Sequence, residues 1–201
     1  MKKTIYLWVA NEGWEPFDYE LQSTKDLLIS KSINISNEAE IGDEIKICDE
    51  AKIDDRAHID DKAEIGYGAK IGNRAKIGYR TKICDKAKIG YEAEIGNGTM
   101  IGDSSEIGNK AKIGYEVKIS YKAKISNLAE IGDKVEIGNE AKIGDGAKIG
   151  DEAKIGYGVE IGDRTKIGCG AKIGGEAKIG FGANISDLAK IGNKAEICFE
   201  A

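Results

Sequence analysis

The chain contains a single histidine, His58, in the stretch DDRAHIDDKA, with Asp54, Asp55, Asp60 and Asp61 on either side. An imidazole among carboxylates is the arrangement that tunes a general base. One more solvated polar side chain explains the same residues. Two runs of lysines recur at intervals of eighteen residues: Lys52, Lys70 and Lys88, then Lys154, Lys172 and Lys190. Such runs suit an anionic ligand, a phosphate-bearing nucleotide or coenzyme for example. Carboxylates in neighbouring turns, such as Asp49, Glu50, Asp85 and Asp151, together with solvent screening, would account for them equally. The four cysteines, Cys48, Cys84, Cys169 and Cys198, form no C-x-x-C pair and have no histidine nearby, so they read as free thiols.

Whatever these residues do, the rest of the chain must place them. Its 201 residues carry a net charge of −5, with 27 glycines, one proline and 32% charged residues. That excludes a polybasic nucleic-acid binder, and the skew itself signals a repeat. No apolar run approaches the roughly 18 residues of a membrane span. The opening MKKTIYLWVANEGWEPF starts like a signal peptide, but acidic and aromatic residues stand where a cleavage site belongs. A cytoplasmic protein without membrane or nucleic-acid partners, and without a cofactor, is expected.

From Ile29 onward an isoleucine falls on every sixth residue, through Ile35, Ile41 and Ile47 to Ile191 and Ile197, without a slip. The unit is I-G-x-x-A-x. Its fifth position is small or β-branched (Ala39, Ala51, Thr81, Val117) and its sixth is usually Lys or Glu. The fifth, sixth and first residues make a three-residue in-out-in strand, because neighbouring strand side chains point to opposite faces. Glycine and then Asp, Asn or Tyr make the turn, glycine relieving crowding. A helix is excluded, since a period of six spreads the isoleucines around a helical cylinder. One such unit cannot bury its apolar side alone, so the units must coil and stack around a shared interior.

This tandem I-G-x-x-A-x pattern, over residues 29–201, resembles the hexapeptide-repeat family, as in the bacterial hexapeptide acyltransferases. The resemblance implies an all-β fold: a left-handed parallel β-helix of triangular section with three hexapeptides to a coil. That gives about nine to ten coils. It also implies a homotrimer and, in many members, transfer of an acyl group from a coenzyme A or carrier-protein thioester by a histidine base. Only His58 is available for that part, and the chain lacks the projecting loop and C-terminal helical segment common in those enzymes. Carbonic anhydrases of the same fold bind zinc through three histidines, so one histidine per chain predicts no metal.

Residues 1–28 fall outside the repeat and hold Trp8, Trp14 and Pro16; they read as a cap or docking segment before the 29–201 β-helix. Within them TIYLWVA reads as a strand, NEGWEP as a turn and STKDLLI as a short capped helical turn. KAEICFEA ends in mid-repeat, which suggests either strand edges kept wet by Glu196 and Glu200 or end-to-end stacking of copies. Phe181 and Phe199 are eighteen apart and are expected above one another. Residues at that spacing share a face, so Glu94, Lys112, Glu130 and Lys148 are expected to form an alternating charge ladder. Six corner tyrosines (Tyr67, Tyr79, Tyr91, Tyr115, Tyr121, Tyr157) could stack on a ligand or a neighbouring subunit. The regularity favours a non-catalytic structural or interaction module, followed by an anion-binding or sequestering protein with sites between subunits, and then an acyltransferase using His58.

Overall fold

A computed structural model describes residues 3–9 and 12–198. Two strands, β1 (Thr4–Val9) and β2 (Gly13–Asp18), and one helix, α1 (Gln22–Ser30), precede twenty-eight short strands running from Asn34–Ile35 to Glu196–Ile197. The short strands form three parallel sheets, and each pairs with the strand eighteen residues away. The result is a left-handed β-helical prism of about nine coils. No helix among the described residues is long and apolar enough to cross a membrane.

The interior follows from the alternation. First-position isoleucines and fifth-position alanines are almost wholly buried from Ile41 to Ile179, in one continuous core, while the sixth-position side chains between them face water. Where the fifth position is Thr or Ser, the buried hydroxyl is satisfied across a corner. Thr81 donates to the Gly96 carbonyl (3.0 Å), Thr99 to Gly114 (2.8 Å), Ser105 to Ser120 (2.7 Å) and Thr165 to Gly180 (2.8 Å). Burial of these groups therefore leaves no unmade hydrogen bond.

The turns divide their labour between two positions, and glycine relieves crowding as expected. The second-position glycine is there for space: a Cβ on Gly108 would lie 2.5 Å from the carbonyl carbon of Ser126 in the next coil. The left-handed backbone falls two residues later, at the fourth position, where charged residues such as Lys62 (φ 61°) and Glu140 (φ 58°) adopt it alongside glycines such as Gly146 (φ 62°). The third-position Asp or Asn reaches back one coil and accepts a backbone N–H: Asp133 from Tyr115 (3.0 Å), Asn109 from Tyr91 (2.8 Å), Asp151 from Asp133 (2.9 Å). These side chains tie coils together, and of the turn carboxylates expected to offset lysines Asp49 pairs with Lys31 at 3.2 Å.

Near the N-terminus β1 pairs in parallel with strand Ile45–Ile47 and so extends one sheet by a strand, with Ile5 and Leu7 continuing the core. Next to it, β2 runs antiparallel and is the outermost strand. NEGWEP is thus only in part a turn: Trp14 to Pro16 lie within β2, where Trp14 meets Trp8 edge-on at 5.7 Å. The Tyr19 N–H donates to Lys3 and that of Glu12 to Val9, which turns the even-numbered residues of β2 outward. Pro16 removes the middle donor of that edge and blunts it. Helix α1 has no side-chain cap at Leu21. It also contains Ile29, which is 73% exposed, so the isoleucine period begins before the coil does.

Candidate functional site

The three prism faces differ in what their sixth positions present. The face that continues into β1 and β2, the hairpin face, carries Lys46, Glu64, Lys82, Met100, Lys118, Glu136, Lys154, Lys172 and Lys190. A second, the histidine face, carries Glu40, His58, Lys76, Glu94, Lys112, Glu130, Lys148 and Lys166. The third includes Lys52, Lys70, Lys88, Glu106, Lys124, Lys142 and Glu160.

His58 projects from the histidine face into an open groove of about 840 Å³ that Asp43 and Asp61 also border. Its Nδ1 lies 2.8 Å from Glu40 in the preceding coil, and its Nε2 lies 2.8 Å from Asp60. The hydrogen bond to Glu40, with a smaller one to Asp60, raises the imidazole pKa above its ordinary value. Both ring nitrogens are thus engaged by carboxylates, and the charged form is favoured. A general base needs a free nitrogen aimed at a substrate, whereas both nitrogens here face carboxylates, one of them Glu40 in the preceding coil. Of the four aspartates around it in sequence, only Asp60 touches it. Asp61 accepts the Asp43 N–H, and Asp55 is bonded by the Ser36 hydroxyl. Glu40 was not apparent as a partner, although the eighteen-residue register would have found it.

The lysine runs separate into paired and unpaired members. Lys88 bonds Glu106 at 2.9 Å, and that contact holds the Glu106 carboxyl below its usual range. Lys154 reaches Glu136 at 3.4 Å. Among the described residues, Lys52, Lys70, Lys172 and Lys190 have no ion-pair partner. Lys154, Lys172 and Lys190 line one groove of about 560 Å³ on the hairpin face. The structure does not bring Lys52, Lys70 and Lys88 to them, since these stand on the third face. The expected ladder forms only in part: Glu130 bonds Lys148 (2.9 Å), but Glu94 bonds Lys76 (3.1 Å), and Lys112 joins neither.

The corner tyrosines are occupied within their own prism. Arg80 lies over Tyr79 at 5.0 Å, Lys122 over Tyr121 at 4.8 Å and Lys134 over Tyr115 at 5.5 Å. Arg74 bonds the Tyr91 hydroxyl (3.0 Å), and the Tyr157 hydroxyl donates to Glu140 (3.1 Å). A hydrogen bond to Glu50 pushes the Tyr67 hydroxyl pKa up. All four cysteines are free; Cys48 and Cys84 are half-buried, and burial first, then nearby carboxylates, pushes their thiols up. Among the described residues no group of three or more His, Cys, Asp or Glu side chains is arranged to hold a metal ion. Phe199, Glu200 and Ala201, including the expected stacking of Phe199 on Phe181, lie outside the described residues.

With this geometry in place the comparisons are informative. The family model for the bacterial transferase hexapeptide (six repeats) matches residues 128–163 and 140–175. Residues 128–175 thus carry the repeat of that family. No curated protein matches it in sequence. Among solved structures, the chain is similar to UDP-N-acetylglucosamine O-acyltransferase from Moraxella catarrhalis RH4: 17% identity, 66% of this chain, 62% of that one, TM-score 0.57. It is also similar to the UDP-N-acetylglucosamine acyltransferase of Francisella novicida: 19% identity, 77% of this chain, 65% of that one, TM-score 0.54. The chain thus spans less than two thirds of either structure, and at these identities the likeness is one of fold.

Proposed function

We propose that this chain is a rigid, non-catalytic β-helical interaction module that works as a homotrimer. The observation that carries the reading is the state of His58. The one histidine has both ring nitrogens held by carboxylates at 2.8 Å, and the contact with Glu40 favours its charged form. Around it the unit repeats without a projecting loop from Asn34 to Ile197, and active sites are commonly where such local rules break. The trimer is what resemblance to the hexapeptide-repeat family implies.

A second reading, acyl transfer, is favoured by the fold shared with the two acyltransferases above. In it His58 would have to release Glu40 or Asp60 to accept a proton from an acceptor hydroxyl or amine. One experiment separates the two. The full chain is incubated with acyl-coenzyme A and a UDP-sugar, products are read by mass spectrometry, and His58→Asn is run in parallel. No His58-dependent turnover is expected. Thioester turnover that disappears in His58→Asn would replace the scaffold with an enzyme. Sedimentation velocity, with a trimer expected and a monomer contrary, tests the assembly.

A further inference from the structure

We propose that the C-terminal half of the hairpin face binds a linear phosphate-type polyanion laid along the prism axis. The inference rests on the scaffold reading and names what the scaffold holds. Lys154, Lys172 and Lys190 occupy one register position in three successive coils, about 4.8 Å apart. Like charges at that spacing repel, and two other such pairs are each relieved by a glutamate, although the pair Lys52 and Lys70 on the third face is not. Lys142, next to Lys124, bonds Glu160 at 2.8 Å; Lys148, next to Lys166, bonds Glu130 at 2.9 Å. Here Glu136 serves Lys154 alone, and Lys172 and Lys190 follow without an ion-pair partner among the described residues.

Shape narrows the ligand. The groove of about 560 Å³ runs from Lys118 and Ser120, past Glu136, to Lys190, a span of four coils or about 19 Å. Its floor includes the glycines that follow the strands, Gly156 and Gly174 among them, and Glu136 is the one acidic side chain beside the lysines. No aromatic ring lines it, which removes the stacking platform that a base or nucleoside would use. Lysine ammonium groups are compact point charges with three donors on flexible stems, and they suit the oxygens of successive phosphates better than any one planar group. A row of charges along one axis favours a long ligand over a compact one, because each further anionic group meets another lysine.

The test uses the full chain and three probes in calorimetric titrations: orthophosphate, tripolyphosphate and long-chain inorganic polyphosphate. Affinity is expected to climb with probe length, by at least tenfold from tripolyphosphate to the long chain, and to fall steeply with added salt. Lys172→Glu with Lys190→Glu is expected to lower long-chain affinity at least tenfold, whereas Lys142→Glu on the third face leaves it within twofold. Circular dichroism establishes that each variant is folded. Equal affinity for all probes, an unaffected double variant, or an equal loss in Lys142→Glu would overturn the proposal. Poly-glutamate binding as tightly as polyphosphate would overturn its phosphate chemistry. Polyphosphate binding that fails without His58-dependent turnover removes this inference alone, whereas His58-dependent turnover removes the scaffold reading.

Discussion

Replacing Gly108 by alanine tests the stacking logic of the prism at one atom. The added Cβ would stand 2.5 Å from the Ser126 carbonyl carbon, 2.6 Å from the Asn127 nitrogen and 2.8 Å from the Ser126 oxygen, where ordinary contacts begin at 3.4 Å. Backbone is the obstacle, so no side-chain rotation relieves it; one coil must lift from the next by close to 0.9 Å. Ser126 already carries a Cβ at the same position one coil on, so that coil lacks the slack a glycine would give. Overpacking of this kind costs about 1–3 kcal/mol, and the loss of glycine's freedom in the unfolded chain offsets about 0.4–1 kcal/mol. A net loss of about 1–2 kcal/mol is expected. The assay is native-state hydrogen exchange, because coils of a solenoid open locally. The Gly108 N–H, bonded to the Ile125 carbonyl at 2.7 Å, and the Asn109 N–H, bonded to Asn127 at 2.8 Å, are expected to exchange roughly 5- to 30-fold faster. Gly192→Ala is the control, since a Cβ there meets nothing within 4 Å. If the two variants protect their coils equally, crowding is not why the glycines recur.

Three further outcomes are expected. His58 titrates above its ordinary value of about 6.5, so its clamp is complete below that pH and is lost as pH rises through the raised value. Its proton resonances locate the midpoint, and the accompanying fall in melting temperature, modest for so exposed a group, is absent in His58→Asn. Thr99→Val strips a hydroxyl that donates to Gly114 and accepts the Val117 N–H (3.2 Å); denaturant unfolding is expected to show a loss of about 1–3 kcal/mol. Exposed Cys169 reacts with a disulfide reagent at pH 7 well before half-buried Cys48 and Cys84, whose thiols are pushed up; mass mapping of the first adduct checks this, and first labelling at Cys84 would contradict it.

The coil was legible because its cause is local: Ile, Ala and an outward charge in strict alternation admit one way to bury the apolar residues. The period also assigns every outward residue a face, which is why the grouping of Lys154 with Lys172 and Lys190 could be read directly. Ile29 misled because the period reports spacing, and α1 takes up the same residue type at its end. The turn was legible in part: glycine relieves crowding at the second position as expected, whereas the left-handed backbone falls at the fourth position, where residues such as Lys62 and Glu140 give no signal by their type. Which lysine meets which glutamate was hidden, since Glu94 stands one coil from both Lys76 and Lys112 and side-chain packing selects the first. The carboxylate that meets the His58 Nδ1 was hidden for a similar reason: Glu40 is remote in sequence and adjacent in register.

The spacing that makes every contact fall eighteen residues away also gives the chain a reading frame. A deletion of eighteen residues, from Ala123 to Glu140 for example, removes one coil and returns each later side chain to the face it left, shortening the rod and the distance between its ends. A deletion of six keeps every isoleucine inside, yet carries all later side chains to the neighbouring face. Lys154, Lys172 and Lys190 would then no longer stand in line with Lys46 and Tyr6. Length and facing are thus separately editable in this molecule, the first in units of eighteen and the second in units of six.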